Sequence, residues 1–278
     1  MAIEKPSVEQ MKKTAQDLRV AIINMIYKAG SGHPGGSFSC CEILTVLYFN
    51  ELRVDPLNST DPCRDRFILS KGHACPALYA VLAEKGFIPK EELPTLRKCG
   101  SRLQGHPDMR KVPGVELSAG SLGMGISFGI GTQIAARLSG RTYRTYVLTG
   151  DGELDEGENW EGFLTGAKYK LDDLTVIVDY NKVQLDGTLD EILPLGELGK
   201  KILAFNWNVI ECDGHDVNDI IRALDEARQA KGRPNAILAH TIKGKGVSFM
   251  ENQSAWHGRP PDEEEYERAV AELKGAAL

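Results

Sequence analysis

Two polar side chains follow two apolar stretches that have the composition of buried strands. Asp151 lies between two glycines directly after the run Thr145–Thr149, and Asn181 follows the run Leu174–Val178. If these runs are neighbouring parallel strands, Asp151 and Asn181 meet at the carboxyl edge of one sheet. A carboxylate and an amide oxygen, completed by a backbone carbonyl, two phosphate oxygens and a water, suit octahedral Mg²⁺. The spacing therefore predicts a metal site for a phosphorylated cofactor.

The Gly-Asp-Gly sequence also has a structural interpretation. An aspartate after a strand is more often a helix cap or a turn former than a metal ligand. Gly150 and Gly152 favour the functional interpretation, because they let the backbone approach a bound group closely. Asp151 alone would be a weak signal, and Asn181 strengthens it.

Histidines form the second set of candidate functional residues. Four of the six are candidates, and each of these stands beside glycine or proline in a sequence typical of turns. Each ring can donate and accept hydrogen bonds and can transfer protons near neutral pH, which suits a sugar phosphate. Zinc is the competing explanation, but no Cys or His pair has short metal-ligand spacing. The four are His33, His73, His106 and His257; the other two, His215 and His240, are predicted to be structural.

Alternating strand and helix patterns must position these side chains. Such alternation is typical of an α/β protein, so we predict a doubly wound, mostly parallel sheet with helices on both faces. The predicted strands are Phe67–Ser70, Thr145–Thr149, Leu174–Val178, Asn208–Glu211 and Ala236–His240. The predicted helices are a segment from a Ser7/Gln10 capping box to Gly30, then, after a Gly/Ser/Pro turn, Ser39–Asn50, Pro76–Lys85, Leu122–Leu138, Trp160–Lys168, Val217–Ala230 and Asp262–Leu273.

The composition restricts the class of protein. No repeat or linker divides the 278 residues, so residues 1–278 are predicted to form a single domain. No apolar stretch approaches the roughly 18 residues of a membrane span, and no basic region leads into an apolar run at the start, so a cytoplasmic location is expected. The net charge of -6 gives no general attraction to nucleic acid, and the six scattered cysteines are expected to be reduced thiols.

The motifs also resemble those of a known family. Gly150-Asp151-Gly152 followed by Asn181 resembles the metal motif of thiamine-diphosphate enzymes, although many members have a second Asn where this chain has Tyr180. The remaining motifs look like successive transketolase segments over nearly the whole chain, although they cover only about half of a transketolase. These segments are Ser31–Gly36, Asp65–Ala74, Gly105–Pro107, Leu117–Gly125, Lys243–Gly246 and Ala255–Gly258.

The resemblance implies thiamine diphosphate and Mg²⁺, or Ca²⁺ or Mn²⁺, as cofactors. By resemblance, the metal ligands are Asp151, Asn181 and the backbone of Val183. The catalytic residues around the reactive carbon of the cofactor and the sugar hydroxyls would be His33, His73, His106 and His257. The cofactor-binding residues would be His73, Gly120, Ser121, Leu122, Gly152, Glu156, Asn181, Lys243 and His257, with Lys243 pairing with the diphosphate and Glu156 joining sites across a dimer.

The resemblance also implies a partner chain. Family members activate the cofactor with a glutamate on a pyrimidine-binding domain, which we expect on a second polypeptide, in a heterotetramer of two plus two. The helix after Ser121 agrees with this, because it contains Gly123, Gly125, Gly129 and Gly131, and each internal glycine costs about 1 kcal/mol relative to alanine. The backbone of such a helix must pack closely against another surface. The partner interface is the favoured surface, and the sheet is the alternative.

The expected activity is transfer of a two-carbon ketol unit from a ketose phosphate to an aldose phosphate. Two alternatives remain open: a split relative acting on a sulfonated or branched sugar, and a non-catalytic, thiamine-diphosphate-binding regulatory subunit. The α subunit of a 2-oxoacid dehydrogenase shares the metal motif but is not expected to carry these Gly-His-Pro turns. A neighbouring gene encoding a pyrimidine-domain chain would favour the enzyme.

Overall fold

In the part of the chain that the structure describes, five parallel strands form a single sheet. The computed structural model describes residues 5–275; the residues at either end of the predicted domain 1–278 lie outside the described part. The α/β prediction is confirmed, and each predicted strand overlaps an observed one. The strands are β1 Arg66–Leu69, β2 Thr145–Gly150, β3 Leu174–Tyr180, β4 Asn208–Asp213 and β5 Asn235–His240. Their order in the sheet is β1-β2-β3-β5-β4.

Both faces of the sheet are covered, because successive strand residues point alternately into two apolar clusters. The helices are α1 Val8–Ala29, α2 Pro34–Phe38, α3 Cys41–Val46, α4 Cys75–Lys85, α5 Met124–Leu138, α6 Gly157–Lys168, α7 Leu189–Ile192, α8 Leu198–Ala204, α9 Val217–Gln229 and α10 Glu263–Gly275. Leu148 belongs to one cluster with residues of α1, α3, α4, α9 and α10, and its neighbour Val147 belongs to the other with residues of α5, α6 and α8.

The predicted limits of α1 are confirmed. The Ser7 hydroxyl accepts from the Gln10 backbone N–H at 3.2 Å, and the Gln10 side chain accepts from the Ser7 N–H at 2.7 Å, which completes the capping box. Gly30 ends the helix with a φ of 59°, a left-handed conformation that glycine adopts without a steric penalty.

The segment after α1 differs from the prediction. The expected turn contains the short helix α2, because Pro34 occupies the first helical position, where its missing N–H costs nothing. The predicted helix Ser39–Asn50 is α3 followed by a π-helical turn, Leu47–Glu51. The break at Ser39 lies where its hydroxyl donates to the buried carboxylate of Asp179, a tertiary contact that local sequence does not reveal.

The glycines of α5 pack mainly inside this chain, so the favoured interface interpretation is wrong for them. A Cβ on Gly129 would lie 2.7 Å from Val147 Cγ2, and one on Gly125 would lie 2.2 Å from Ser70 Oγ. Gly131 alone of these faces open space. The close approach of α5 to the sheet therefore requires glycine at 125 and 129.

Short 3₁₀ turns connect several of the main elements within the described residues: Pro56–Asn58, Gly72–Ala74, Lys90–Thr95, Gly152–Asp155 and Ser254–Trp256. In residues 5–275, no helix combines the length and the apolar character needed to cross a membrane.

Candidate active site

The register of β2 and β3 brings the predicted metal ligands together. Gly150 pairs with Asp179, so Asp151 and Asn181 lie at the same carboxyl edge, and both are almost fully buried. Asp151 accepts hydrogen bonds from the backbone N–H groups of Gly152, at 2.8 Å, and of Lys182. Burial, followed by repulsion from Asp179, raises the pKa of Asp151 to about 7. A cation bound near Asp151 would therefore stabilise its charged form.

The carbonyl oxygen of Val183 faces a buried ammonium group. Lys243 Nζ donates to Val183 O at 2.8 Å and to Gln184 O at 3.1 Å, and lies 2.8 Å from His257 Nδ1. Burial lowers the pKa of Lys243 to about 8. The carboxylate, amide and carbonyl oxygens grouped here are the hard ligands that Mg²⁺ prefers, so the residues fit a divalent ion.

The buried ion pair between Asp179 and Lys71 holds the side chain of Asn181 in place. Asp179 Oδ2 accepts from Lys71 Nζ at 2.5 Å, from Ser39 Oγ at 2.5 Å and from Asn181 Nδ2 at 3.2 Å. Burial opposes the charge on Asp179, but the charge of Lys71 and the hydrogen bonds from Lys71, Ser39 and Thr241 together outweigh burial and lower the pKa of Asp179. The contact fixes the Asn181 amide, whose oxygen accepts from Val183 N–H at 3.1 Å.

Three of the four predicted histidines form one cluster. The ring centroids of His33 and His73 lie 5.1 Å apart, those of His33 and His257 5.5 Å, and those of His73 and His257 5.0 Å. Burial, followed by the charge of Arg97, lowers the pKa of His33 to about 4. Burial, followed by Lys243, lowers the pKa of His257 to about 3, and burial also lowers the pKa of His73. The rings are therefore neutral at pH 7 and can both donate and accept hydrogen bonds.

His106 is exposed, and it is close enough to His33 to contribute to the lowering of the His33 pKa. A Cβ on Gly120 would lie 3.8 Å from its ring, so the Gly120 backbone runs beside it. Burial and then the charge of Arg97 lower the pKa of His106. Within the described residues, the buried Nδ1 of His33 has no hydrogen-bond partner.

Most of the predicted site residues line one cavity of about 310 Å³. Its wall also includes charged and apolar residues that the sequence did not assign to the site. Gly120 and Ser121 are exposed and precede the lining residue Leu122. The predicted residues on the wall are His73, Leu122, Asp151, Gly152, Glu156, Asn181, Val183, Lys243 and His257, and the additional ones include Lys71, Glu153, Asp179, Gln184 and Leu185.

For two of these additional residues, the sequence itself indicates a role at the site. Asp179 interrupts the apolar strand β3, and Lys71 closely follows β1. A charge within a strand that is buried on both faces requires an opposite charge nearby. Leu185 carries no such signal, since an exposed leucine in a loop is common.

The remaining histidines have protein partners. The Nδ1 atom of His215 lies 3.0 Å from a Glu42 carboxylate oxygen, and its Nε2 accepts from Ile242 N–H at 2.8 Å. His240 Nε2 lies 2.8 Å from a carboxylate oxygen of Glu211. His215 thereby anchors the loop that leads to Lys243.

Residues 10–275 match the family model described as transketolase, thiamine diphosphate binding domain. The chain belongs to the transketolase family. Among curated relatives, a subunit of the apulose-4-phosphate transketolase from Phocaeicola vulgatus is 43% identical over 96% of this chain and 94% of its own length. The 6-deoxy-6-sulfo-D-fructose transketolase subunit SqwG from a Clostridium species is 44% identical over 95% of this chain and 96% of its own length.

Undivided transketolases match over a smaller share of their length. Transketolase from Rattus norvegicus is 39% identical over 97% of this chain but only 43% of its own length. The structure of transketolase from Leishmania mexicana superposes with a TM-score of 0.91 at 31% identity, covering 98% of this chain and 42% of that one. The family resemblance, the fold and the identification as a transketolase thiamine-diphosphate-binding subunit are therefore confirmed.

Proposed function

We propose that this chain, together with a pyrimidine-domain partner, transfers a two-carbon ketol unit from a ketose phosphate to an aldose phosphate. One observation carries the proposal: Asp151, Asn181 and Val183 line one cavity together with the neutral histidines His73 and His257. An anion-binding metal site beside proton-transferring rings is what this chemistry requires.

Asp151, Asn181 and the Val183 carbonyl would hold Mg²⁺ against the cofactor diphosphate. Lys243, which already contacts Val183 O, would contribute a positive charge to the same phosphates. Gly152 lines the same cavity and would face the diphosphate, and a Cβ on it would lie 2.9 Å from the Cβ of Gln184. When bound, thiamine diphosphate supplies a nucleophilic carbon that adds to the ketose carbonyl.

The histidines would act on the oxygen atoms of the sugar. His33, His73 and His257 have depressed pKa values, so they are neutral when substrate arrives and can accept a hydroxyl proton or donate to an alkoxide. His106, at the exposed edge, would contact a more distant hydroxyl. The unpartnered Nδ1 atom of His33 leaves a ring nitrogen available in the described structure.

The partner would cover the exposed apolar face of α5. Met124, Phe128 and Leu138 are 47%, 38% and 85% exposed, and they share one helix face with Gly131 and Ala135. Relatives that match nearly the whole chain are called subunits, which supports a second polypeptide. We propose a heterotetramer with two copies of each subunit.

A sulfonated or branched sugar is the second candidate substrate. The two subunit relatives are named for apulose-4-phosphate and for 6-deoxy-6-sulfo-D-fructose, and at 43% and 44% identity neither is favoured. The regulatory alternative is less favoured, because the complete ligand set and all four predicted histidines are present.

Co-expression with the partner chain, followed by a coupled ketol-transfer assay over a panel of phosphorylated, sulfonated and branched sugars, tests the proposal. We expect turnover that requires both chains, thiamine diphosphate and a divalent ion. Cofactor binding without turnover on any sugar would favour the regulatory alternative, and selective turnover of one sugar class would identify the substrate.

A further inference from the structure

One buried carboxylate outside the predicted site contacts three separate segments of the chain. Glu153 is 3% exposed. Its Oε1 accepts from the backbone N–H of Gly123 at 2.9 Å and from the hydroxyl of Ser70, and its Oε2 accepts from the backbone N–H of Gly150 at 3.0 Å. All of these partners are uncharged donors.

These three segments carry the groups expected around the cofactor. Ser70 follows β1 and precedes the turn of His73, Gly150 ends β2 beside Asp151, and Gly123 follows Leu122 at the start of α5. A single carboxylate thus bridges three segments that adjoin the cavity.

The packing around Ser70 leaves little freedom for these walls to adjust. Ser70 Oγ also accepts from Gly125 N–H at 3.1 Å, where a Cβ on Gly125 would lie 2.2 Å away. A Cβ on Gly72 would lie 2.7 Å from that of Ala119. These contacts can be maintained only if the segments that contain Ser70, Gly125 and Ala119 keep their relative positions.

We propose that Glu153 is a positioning residue, whose carboxylate holds the three segments in the geometry that binds the cofactor diphosphate. This inference rests on the proposed function for the identity of the ligand. Glutamate is required rather than glutamine, because all three partners donate hydrogen bonds to it and an amide NH₂ would oppose a donor. A buried donor left facing another donor is costly.

The test compares E153Q with the parent chain in two measurements. Hydrogen exchange of the full chain without cofactor should show faster exchange at the Gly123 and Gly150 amides in E153Q. Calorimetry with the partner, Mg²⁺ and thiamine diphosphate should show affinity lowered by about 10- to 100-fold, as for other groups that orient ligands indirectly. The KM for the sugar at saturating cofactor should not change.

Ser70→Ala and Ser127→Ala provide a matched pair. Both remove a hydroxyl that donates to a glutamate, but Ser127 contacts Glu158 between α5 and α6, away from the cavity lining. We expect S70A to weaken cofactor binding and S127A to leave it unchanged. If E153Q fails to fold, this pair decides the question.

The outcomes separate the two proposals. A parent complex that does not bind thiamine diphosphate would contradict the proposed function, while faster exchange in E153Q would still support the positioning role. A parent that binds, with E153Q or S70A binding equally well, would overturn the role of Glu153. Equal losses of affinity in S70A and S127A would show that helix packing, and not Glu153, is responsible.

Discussion

The ammonium group of Lys243 donates a 2.8 Å hydrogen bond to the carbonyl oxygen of Val183, the backbone atom predicted to bind the metal. A positive charge therefore lies beside this oxygen even without a divalent ion. In the proposed complex with the metal and the diphosphate, Lys243 would exchange its hydrogen bonds to the Val183 and Gln184 carbonyls for hydrogen bonds to phosphate oxygens. This pairing links the metal site to the charge that would hold the cofactor.

Replacing Lys243 by methionine should weaken thiamine diphosphate binding about tenfold or more, equivalent to about 1.4 kcal/mol. The charge is lost while the aliphatic stem is largely kept. Calorimetry on the assembled enzyme is the measurement. Lys245→Met is the matched control, because Lys245 lies in the same loop but pairs with Glu251 at 3.7 Å, and it is absent from the cavity wall. Equal affinity in both variants would remove Lys243 from the cofactor site.

Cofactor affinity should depend on a divalent ion and on Asp151 and Asn181, the two predicted side-chain ligands. Alanine at either position should lower thiamine diphosphate affinity by more than about 100-fold, the upper end of the effect for groups that only orient a ligand. Titration with and without Mg²⁺ measures this, with Asp190→Ala, an exposed aspartate of α7, as the control. Tight, metal-dependent binding by Asp151→Ala would show that the metal assignment is wrong.

His33 and His106 should act on the reacting sugar more than on the cofactor. Alanine at either position should lower kcat/KM by roughly 10²-fold or more, in the range for general acid–base groups. Thiamine diphosphate affinity should remain nearly constant. Steady-state kinetics and calorimetry on the same preparations separate the two effects. Unaltered turnover in both variants would leave these residues with a structural role only.

Stability should fall with acidification because of the histidine cluster. The pKa of His33 is lowered from 6.5 to about 4 in the folded chain, so the unfolded chain binds more protons between these values. This contribution is fully present above pH 6.5 and is lost as the pH falls through about 4. Between about pH 6.5 and 5, the melting temperature of His33→Gln should therefore fall less than that of the parent chain.

A matched substitution controls for other titrating groups. His240→Gln replaces an exposed histidine that contacts Glu211. Its melting temperature is measured at the same pH values, for comparison with those of His33→Gln and the parent chain. Identical melting curves against pH for the parent and His33→Gln would contradict the depressed pKa.

The alternation of apolar strands and helices predicted the sheet, because a parallel sheet buried on both faces requires it. Because both follow parallel strands, Asp151 and Asn181 were predicted to lie at the same carboxyl edge of the sheet. The register of β2 and β3 places them there. Local patterns also placed both ends of α1, since its capping box and Gly30 are local signals.

Contacts between distant residues account for what the sequence did not predict. Asp179 meets Lys71, 108 residues away, and Glu153 meets Ser70, 83 residues away. Neither pair has a fixed spacing that a pattern could detect. The sequence also did not identify the surface that packs against α5. Its glycines indicate a close contact, but they do not show which part of the molecule makes it.

Gly129 is unsuitable for testing assembly with a partner. A bulky residue at Gly129 would collide with Val147 and disrupt this chain, so weaker assembly would reveal nothing about an interface. Phe128, the neighbouring residue, is 38% exposed and lies on the outer face of α5. Replacing Phe128 can therefore affect binding of a partner chain without disrupting the apolar core.

Phe128→Glu should weaken assembly with the pyrimidine-domain chain while leaving the melting temperature of the isolated chain nearly unchanged, because a charge would be buried only in the complex. Light scattering across a titration of the partner should show the parent forming a two-plus-two complex and the variant requiring more partner. Leu57→Glu is the control, since Leu57 is 96% exposed on the 3₁₀ turn Pro56–Asn58. Normal assembly by Phe128→Glu would place the interface elsewhere, and full activity of this chain as a monomer would overturn the split-enzyme proposal.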